Sequence, residues 1–230
     1  MLSGVELKRL LVLMAKRPEP GLTKTRLSPT LDRVEAAALF TCFLRDKLTM
    51  MQTIEIAQPA VAYSPQKARG YFEQFAPDVL LIPQTGENLA QSLCNIFEVT
   101  LNLGFEQVLA IDGDSPDLPT SYLRDAFHAL DDPKVDVTLG PTEDGGYYAI
   151  GMRRLHRMLF DVEMSTPSVY ADTLAQAEGA GLKITSLPIW YDVDRPEDLV
   201  RLRGSLASGA AERAPATAAF LERLERIKGG

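Results

Sequence analysis

Charge in this chain gathers just after apolar runs. The stretch "LLVLMAKRPEPGLTKTRLSP", Leu10 to Pro29, opens with the uninterrupted apolar run Leu10–Ala15 and then turns into prolines, one glycine and the cations Lys16, Arg17, Lys24 and Arg26. A strand, a basic loop and a helix in that order form the setting of a phosphate site. The loop is not a Walker A motif, which would need glycine at position 23, where Thr23 stands; nor does it read G-x-G-x-x-G. Pro18 and Pro20 stiffen it and Gly21 lets the backbone turn. Lys24 and Arg26, two apart, can clamp a pyrophosphate, the arginine by its fork and the lysine as a point charge. Lys16 and Gly21 complete the candidate phosphate-binding set, with Arg17 read as solvated surface. The competing reading is a solvated basic loop.

Two acidic pairs follow other apolar runs. In "IDGDSPDLP" (111–119), Asp112 and Asp114 share one tight turn. Such carboxylates repel unless a cation stands between them, and an all-oxygen donor set suits Mg2+ or Mn2+ beside substrate phosphates. The alternative is an Asx turn leading into the next helix, the reading preferred for Asp117. In "WYDVDRPEDL" (190–199), Asp192 and Asp194 form the second pair. Glu197 and Asp198 sit where acidic residues complement a helix dipole, and Asp194 also fits a helix N-cap. In "GPTEDGGYYAIG" (140–151), Gly145 and Gly146 leave room for close approach of a substrate. Tyr147 and Tyr148 point to opposite faces of a strand, so one packs and the other, Tyr147 being the candidate, faces the pocket. D-G is also a plain hairpin signal. A cationic clamp with two acidic pairs is what a metal-assisted transfer at a diphosphate requires. The candidate ligands of Mg2+ or Mn2+ are therefore Asp112, Asp114, Asp192 and Asp194.

These residues need a scaffold that brings strand ends together. The patterning predicts strands at 10–15, 60–63, 79–83, 107–112, 135–140, 146–151 and 183–190. It predicts helices at 34–51, 66–75, 87–104, 119–130, 153–160, 167–180 and 196–203, with a further helix around 216–227. Strands and helices alternate through the first 130 residues, the order of βαβ units. Two strands in close succession after Asp136 make the sheet mixed. The fold class is α/β, a Rossmann-like three-layer αβα sandwich with a mostly parallel central sheet. One domain is expected over 1–204, with a helical tail over 205–230 packed on it or extending from it.

The bulk numbers set limits. The chain has 230 residues, 46% apolar and 24% charged, enough for one sizeable core. A net charge of −7 argues against a nucleic-acid binder, though not against a local cationic pocket. Cys42 and Cys94 fall in apolar helical patterns and read as buried thiols rather than a disulfide; no metal-ligand spacing surrounds them, His128 or His156. The opening apolar run is short for a membrane span, which needs about 20 residues. The expectations are a cytoplasmic protein with no stable membrane insertion, small-molecule rather than nucleic-acid partners, and room for oligomerisation.

The stretches "AKRPEPGLTKTRL", "DGDSPDLP", "PTEDGGYYAIG" and "WYDVDRPEDL", in this order between Leu10 and Leu202, resemble a bacterial family of the nucleotide-diphospho-sugar transferase superfamily. That family has the glycosyltransferase-A fold and is often named arsenosugar-biosynthesis-type glycosyltransferase. The resemblance implies a divalent metal on a nucleotide diphosphate, with Lys24 and Arg26 facing phosphate and Asp114 as first metal ligand. It implies an acceptor-side catalytic carboxylate at Asp144, and a second metal or sugar contact at Asp192/Asp194. The chain departs from the family at Asp112, usually a small residue, at Gln84–Leu93, where an arginine is lost, and at Met164–Thr166, which lacks a tryptophan. The function this predicts is a metal-dependent glycosyltransferase with a nucleotide-diphospho-sugar donor and a small-molecule acceptor. The alternatives are a nucleotidyltransferase acting from an NTP on a phosphorylated small molecule, and a non-catalytic nucleotide-binding module.

Overall fold

Leu10–Ala15 is apolar without alternation because it is covered on both faces. In the computed structural model, which describes residues 8–28 and 30–229, this run lies in strand β1 (Arg9–Lys16), an interior strand of a seven-stranded sheet. The others are β2 (Gln58–Ser64), β3 (Leu80–Pro83), β4 (Gln107–Ile111), β5 (Val137–Pro141), β6 (Tyr147–Met152) and β7 (Ile184–Ser186). Their spatial order is β3-β2-β1-β4-β6-β5-β7. Only β6 runs against its neighbours. The mostly parallel, mixed αβα sandwich expected from the sequence is the fold found.

Two cores lie on either side of the sheet. Leu11, Leu13 and Ala15 of β1 point into one; Leu10 and Val12 point into the other. The first is closed by α1 (Arg33–Gln52), α2 (Arg69–Phe75), α4 (Thr120–Asp131), α6 (Pro196–Ala207) and α7 (Pro215–Lys228). The second is closed by α3 (Leu89–Asn102) and α5 (Val169–Gly179). α1 starts at a capping box in which Asp32 accepts from Val34 and Glu35 while Glu35 accepts from Asp32. α3 starts at Asn88 and ends before Gly104, whose φ of 98° is the left-handed conformation in which glycine stops a helix.

Three expectations change. The segment 153–160 holds only a 3-10 turn, Arg157–Phe160. The last strand stops at Ser186, because Pro188 cannot donate to a ladder; Trp190 rejoins the sheet through one bridge to Thr142. Cys42 and Cys94 are half-buried free thiols rather than fully buried ones.

The helix from Pro196 runs on to Ala207. α7 then packs on α1, and its first turn is held by Asp46 of that helix, which accepts from Ala216 N (2.8 Å), Thr217 N (2.8 Å) and Thr217 Oγ1 (2.6 Å). Asp46 thereby caps a helix other than its own.

Candidate functional site

In a sheet of this order, β2 and β3 extend to one side of β1, while β4 and the later strands extend to the other. Ligands of open α/β sheets bind beyond the carboxyl ends of the strands where the order reverses. All four charged stretches emerge at that edge. The basic loop leaves β1, Asp112–Asp114 leave β4, and Asp144–Gly146 sit in the turn from β5 into the antiparallel β6. Asp192 and Asp194 follow Trp190, beyond β7. Backbone bonds tie them together: Val193 N donates to Asp114 O at 3.0 Å, Asp112 N to Tyr148 O at 3.0 Å, and Glu143 N to Trp190 O at 2.9 Å.

The basic loop is shaped by its own residues. Leu22 N and Thr23 N donate to Glu19 O, and the Thr23 hydroxyl accepts from Glu19 N at 2.9 Å. Gly21 takes a φ of 79° to close this turn. Leu27, fully buried, anchors the far end. Lys24 holds the left-handed φ of 49°, uncommon for a side-chain-bearing residue, and this aims its side chain inward. Its ammonium lies 2.5 Å from Asp114 Oδ1 and 2.7 Å from Asp194 Oδ1, its side chain only 4% exposed. The Phe40 and Phe43 rings stand 5.6 and 5.8 Å from it. Burial alone would lower this lysine, but Asp114 and then Asp194 outweigh it and raise it above its ordinary value.

This alters the reading of the clamp. Lys24 and Arg26 are not equivalent here: the Lys24 ammonium is paired with two carboxylates. Arg26 and Lys16 are exposed and, among the described residues, no ion pair engages either. Both line a cavity of about 280 Å3 with Lys24, Asp114, Asp194 and Phe40. Arg17 stays at the surface beside Glu19 and over Tyr71.

The acidic residues do converge. Ser115 Oγ donates to Asp192 Oδ1 (2.9 Å) and reaches Asp112 Oδ2 (3.3 Å). Burial, with Asp112 and Asp114 beside it, pushes the Asp192 carboxyl up to about 9. Burial also pushes Asp114 up, against the attraction of Lys24. Below the cluster Lys47 of α1 is fully buried, 3.4 Å from Asp112 Oδ1, and its ammonium makes no hydrogen bond. The donor set is four carboxylates and a hydroxyl, hard oxygens of the kind Mg2+ and Mn2+ take, so in chemistry it fits such an ion. Among the described residues no three His, Cys, Asp or Glu side chains close around a common point; between Asp114 and Asp194 stands the Lys24 ammonium.

A second cavity of about 180 Å3 adjoins the first, sharing Arg26 and Asp194 with it, and is lined further by Glu143, Asp144, Tyr191, Asp192, Arg195 and Asp198. Asp144 is exposed there, its Oδ1 accepting from Thr142 Oγ1 (2.6 Å) and Gly146 N (3.0 Å). Glu143 is paired with Arg201 at 2.5 and 2.9 Å.

Other sequence-predicted residues lie elsewhere than expected. The space beside Gly145 and Gly146 is not left for a substrate: a Cβ on Gly145 would meet Pro167 O at 1.8 Å, and one on Gly146 would meet Thr142 Oγ1 at 2.7 Å. Both glycines make room for the chain itself. Tyr147 packs into the core under α3 and α5, its hydroxyl 3.6 Å from Met164 sulfur, and lines neither cavity; the pleat sends it to the face away from the acidic cluster. Tyr148 is fully buried on the other face and donates to Pro188 O. Asp117 is not a helix cap but a buried acceptor for Tyr191 and Ser205 (2.8 and 2.7 Å). Asp194 does not cap α6; Asp198 does, accepting from Asp194 N and Arg195 N. Sequence reasoning missed Lys47, Ser115 and the Glu143–Arg201 pair. Lys47 could have been noticed as a cation on the apolar stripe of α1; nothing in the sequence points to Ser115 or to the Glu143–Arg201 pair.

Among the described residues no helix is long and apolar enough to cross a membrane. No curated protein matches the chain. A solved structure provisionally named a nucleotide-diphospho-sugar transferase, from Desulfovibrio desulfuricans G20, is 27% identical over 96% of both chains, with a TM-score of 0.88. A cytidylyltransferase from Leptospira borgpetersenii (12% identical, 97% and 96% covered, TM-score 0.57) shares the fold, as does a CMP:2-keto-3-deoxy-manno-octonic acid synthetase complexed with CTP (17% identical, 87% and 98% covered, TM-score 0.54). Residues 47–166 match the family described as "Uncharacterized protein conserved in bacteria (DUF2064)". With that match across its central half and a neighbour alike over almost its whole length, the chain belongs to the DUF2064 family and to the nucleotide-diphospho-sugar transferase superfamily.

Proposed function

We propose that this protein is a nucleotide-utilising transferase, and specifically a metal-dependent glycosyltransferase that takes a nucleotide-diphospho-sugar and passes the sugar to a small-molecule acceptor. One observation carries the reading: an all-oxygen acidic cluster and the cations Lys16 and Arg26, in no ion pair among the described residues, border one cavity, which joins a second cavity bearing Asp144. Lys16 and Arg26 bind diphosphate oxygens, the arginine by its fork. Asp114 and Asp194, with Asp112 and Asp192 behind them, are the residues that would hold Mg2+ or Mn2+. When bound, such an ion neutralises the diphosphate and eases departure of its oxygen. Asp144, held by Thr142 and the Gly146 N–H, orients an acceptor hydroxyl and takes its proton.

Titration calorimetry of nucleotide-diphospho-sugars with and without Mn2+ tests this. Binding that requires Mn2+ and disappears in Asp114→Ala is expected; metal-independent affinity unchanged in that variant would sink the reading.

Nucleotidyl transfer to a phosphorylated acceptor draws support from the same basic loop, since Lys16 and Arg26 suit three phosphates as well as two. The second cavity weighs against it. Its lining sets Glu143, Asp144, Asp192, Asp194 and Asp198 against Arg26 and Arg195; with Glu143 paired to Arg201 and Asp194 to Lys24, it offers a phosphorylated acceptor no surplus of positive charge. Pyrophosphate release from an NTP with a phosphorylated acceptor would favour the nucleotidyl reading.

A further inference from the structure

The acidic cluster contains two ammonium groups that differ in freedom. Lys47 is fixed: it projects from the middle of the 20-residue helix α1 and has no exposed surface. Lys24 is on a loop, in a strained backbone conformation, at the wall of an open cavity. Among the described residues, it is the cation paired with both Asp114 and Asp194. A cation held between those two carboxylates through Asp114 Oδ1 and Asp194 Oδ1 would compete with the ammonium for the same position. The buried Lys47 ammonium, 3.4 Å from Asp112 Oδ1 and without a hydrogen bond, adds a second positive charge beside the cluster.

We propose that Lys24 is an exchangeable counter-cation: its ammonium holds the position between Asp114 and Asp194 in the nucleotide-free protein and yields it to a divalent cation, its charge then turning to the phosphates beside Lys16 and Arg26. The inference rests on the metal-dependent reading above and deepens it. Lys16 and Arg26 meet the phosphates first, because their charges are not engaged; Lys24 follows when its carboxylates are taken. The lysine keeps the cluster folded without metal and sets a threshold against adventitious cations. Metal affinity and Lys24 release are then coupled in both directions.

The test is Mn2+ binding without nucleotide, read from the electron-paramagnetic-resonance signal of free Mn2+, in wild type, Lys24→Met, Lys24→Arg and Lys47→Met. Lys24→Met is expected to bind Mn2+ about tenfold tighter than wild type, Lys24→Arg to stay near wild type, and Lys47→Met, which removes the same charge from a different place, to change by less than about threefold. Equal tightening in Lys24→Met and Lys47→Met would reduce the effect to general electrostatics and overturn the proposal, as would no tightening in Lys24→Met. A wild-type measurement stands beside these should a variant fail to fold. Acetylation of Lys24, followed by peptide mass spectrometry, is expected to accelerate severalfold as Mg2+ is added while Lys47 stays unlabelled; a Lys24 rate indifferent to Mg2+ overturns the exchange. Wild type that binds Mn2+ with none of UDP, CDP, GDP or ADP overturns the metal-dependent reading and the exchange together. Nucleotide-dependent Mn2+ binding with no effect of Lys24→Met removes the exchange alone.

Discussion

Single side chains at the cavity separate binding from stability. Arg26 is exposed, with no ion pair among the described residues, so Arg26→Ala is expected to leave the melting temperature within about 1 °C of wild type while weakening nucleotide-diphosphate affinity about 10- to 100-fold, the worth of charge-assisted hydrogen bonds. Calorimetry and a thermal melt on the same sample check both halves. Lys47 is the opposite case. Lys47→Met leaves Asp112 without its neighbouring charge and is expected to cost about 2–4 kcal/mol of unfolding free energy by urea titration. Adding Asp112→Ala is expected to return most of that loss, since removing both partners of a buried pair is far cheaper than removing one. A double variant no more stable than Lys47→Met would mean that Lys47 and Asp112 are not a pair in solution.

Elements supply the positions, and their ends are where this chain is specific. α7 reaches α1 through the three hydrogen bonds that Asp46 accepts from its first turn. Asp46→Ala strands one buried and one part-buried backbone N–H group and the buried Thr217 hydroxyl, and is expected to cost about 2–4 kcal/mol, measured by denaturant unfolding, with donor affinity little changed. The turn from β5 to β6 is bound to the segment before α5 by the fit of Gly145 against Pro167. Because its φ is 91° and the Pro167 carbonyl fills the place of a Cβ, Gly145→Ala is expected to lower stability by about 2 kcal/mol or more. The same variant should also weaken turnover through Asp144, one residue away. Full stability in Gly145→Ala would show that the 165–167 segment yields freely.

The whole molecule is acidic, yet it keeps a basic loop at the one sheet edge where the strand order reverses. If this edge binds Mn2+ and a nucleotide diphosphate, ligand at about 100 times its dissociation constant adds about 2.7 kcal/mol. That corresponds to a rise of about 5–10 °C in melting temperature for a domain of this size. Scanning calorimetry with Mn2+ alone, nucleotide alone and both checks it; the full shift is expected only with both.

Much of this was legible in one dimension. Leu10–Ala15 and 108–111 are apolar without alternation, so they had to be strands covered on both faces, and their spacing with helices dictated a parallel α/β sheet. Asp112, Asp114, Asp192 and Asp194 stand just beyond strand ends, so their gathering at one edge followed from the topology. What each charge faces did not follow. Lys24 and Arg26 are two residues apart and line the same cavity, yet one is held between carboxylates and the other is exposed, with a left-handed turn at Lys24 between them. Gly145 read as room for a substrate and is room for Pro167; Tyr147 read as facing the pocket, and the pleat sends it into the opposite core. Lys47, 65 positions before Asp112, is its neighbour only after α1 has packed on the sheet. Local patterning carries the periodicity that makes strands and helices, so the sequence by itself determined the architecture and the edge where the charged residues gather. Pairing between charges depends on distances across the sequence that only close packing sets, so the tertiary structure decided which cations remain available to a ligand.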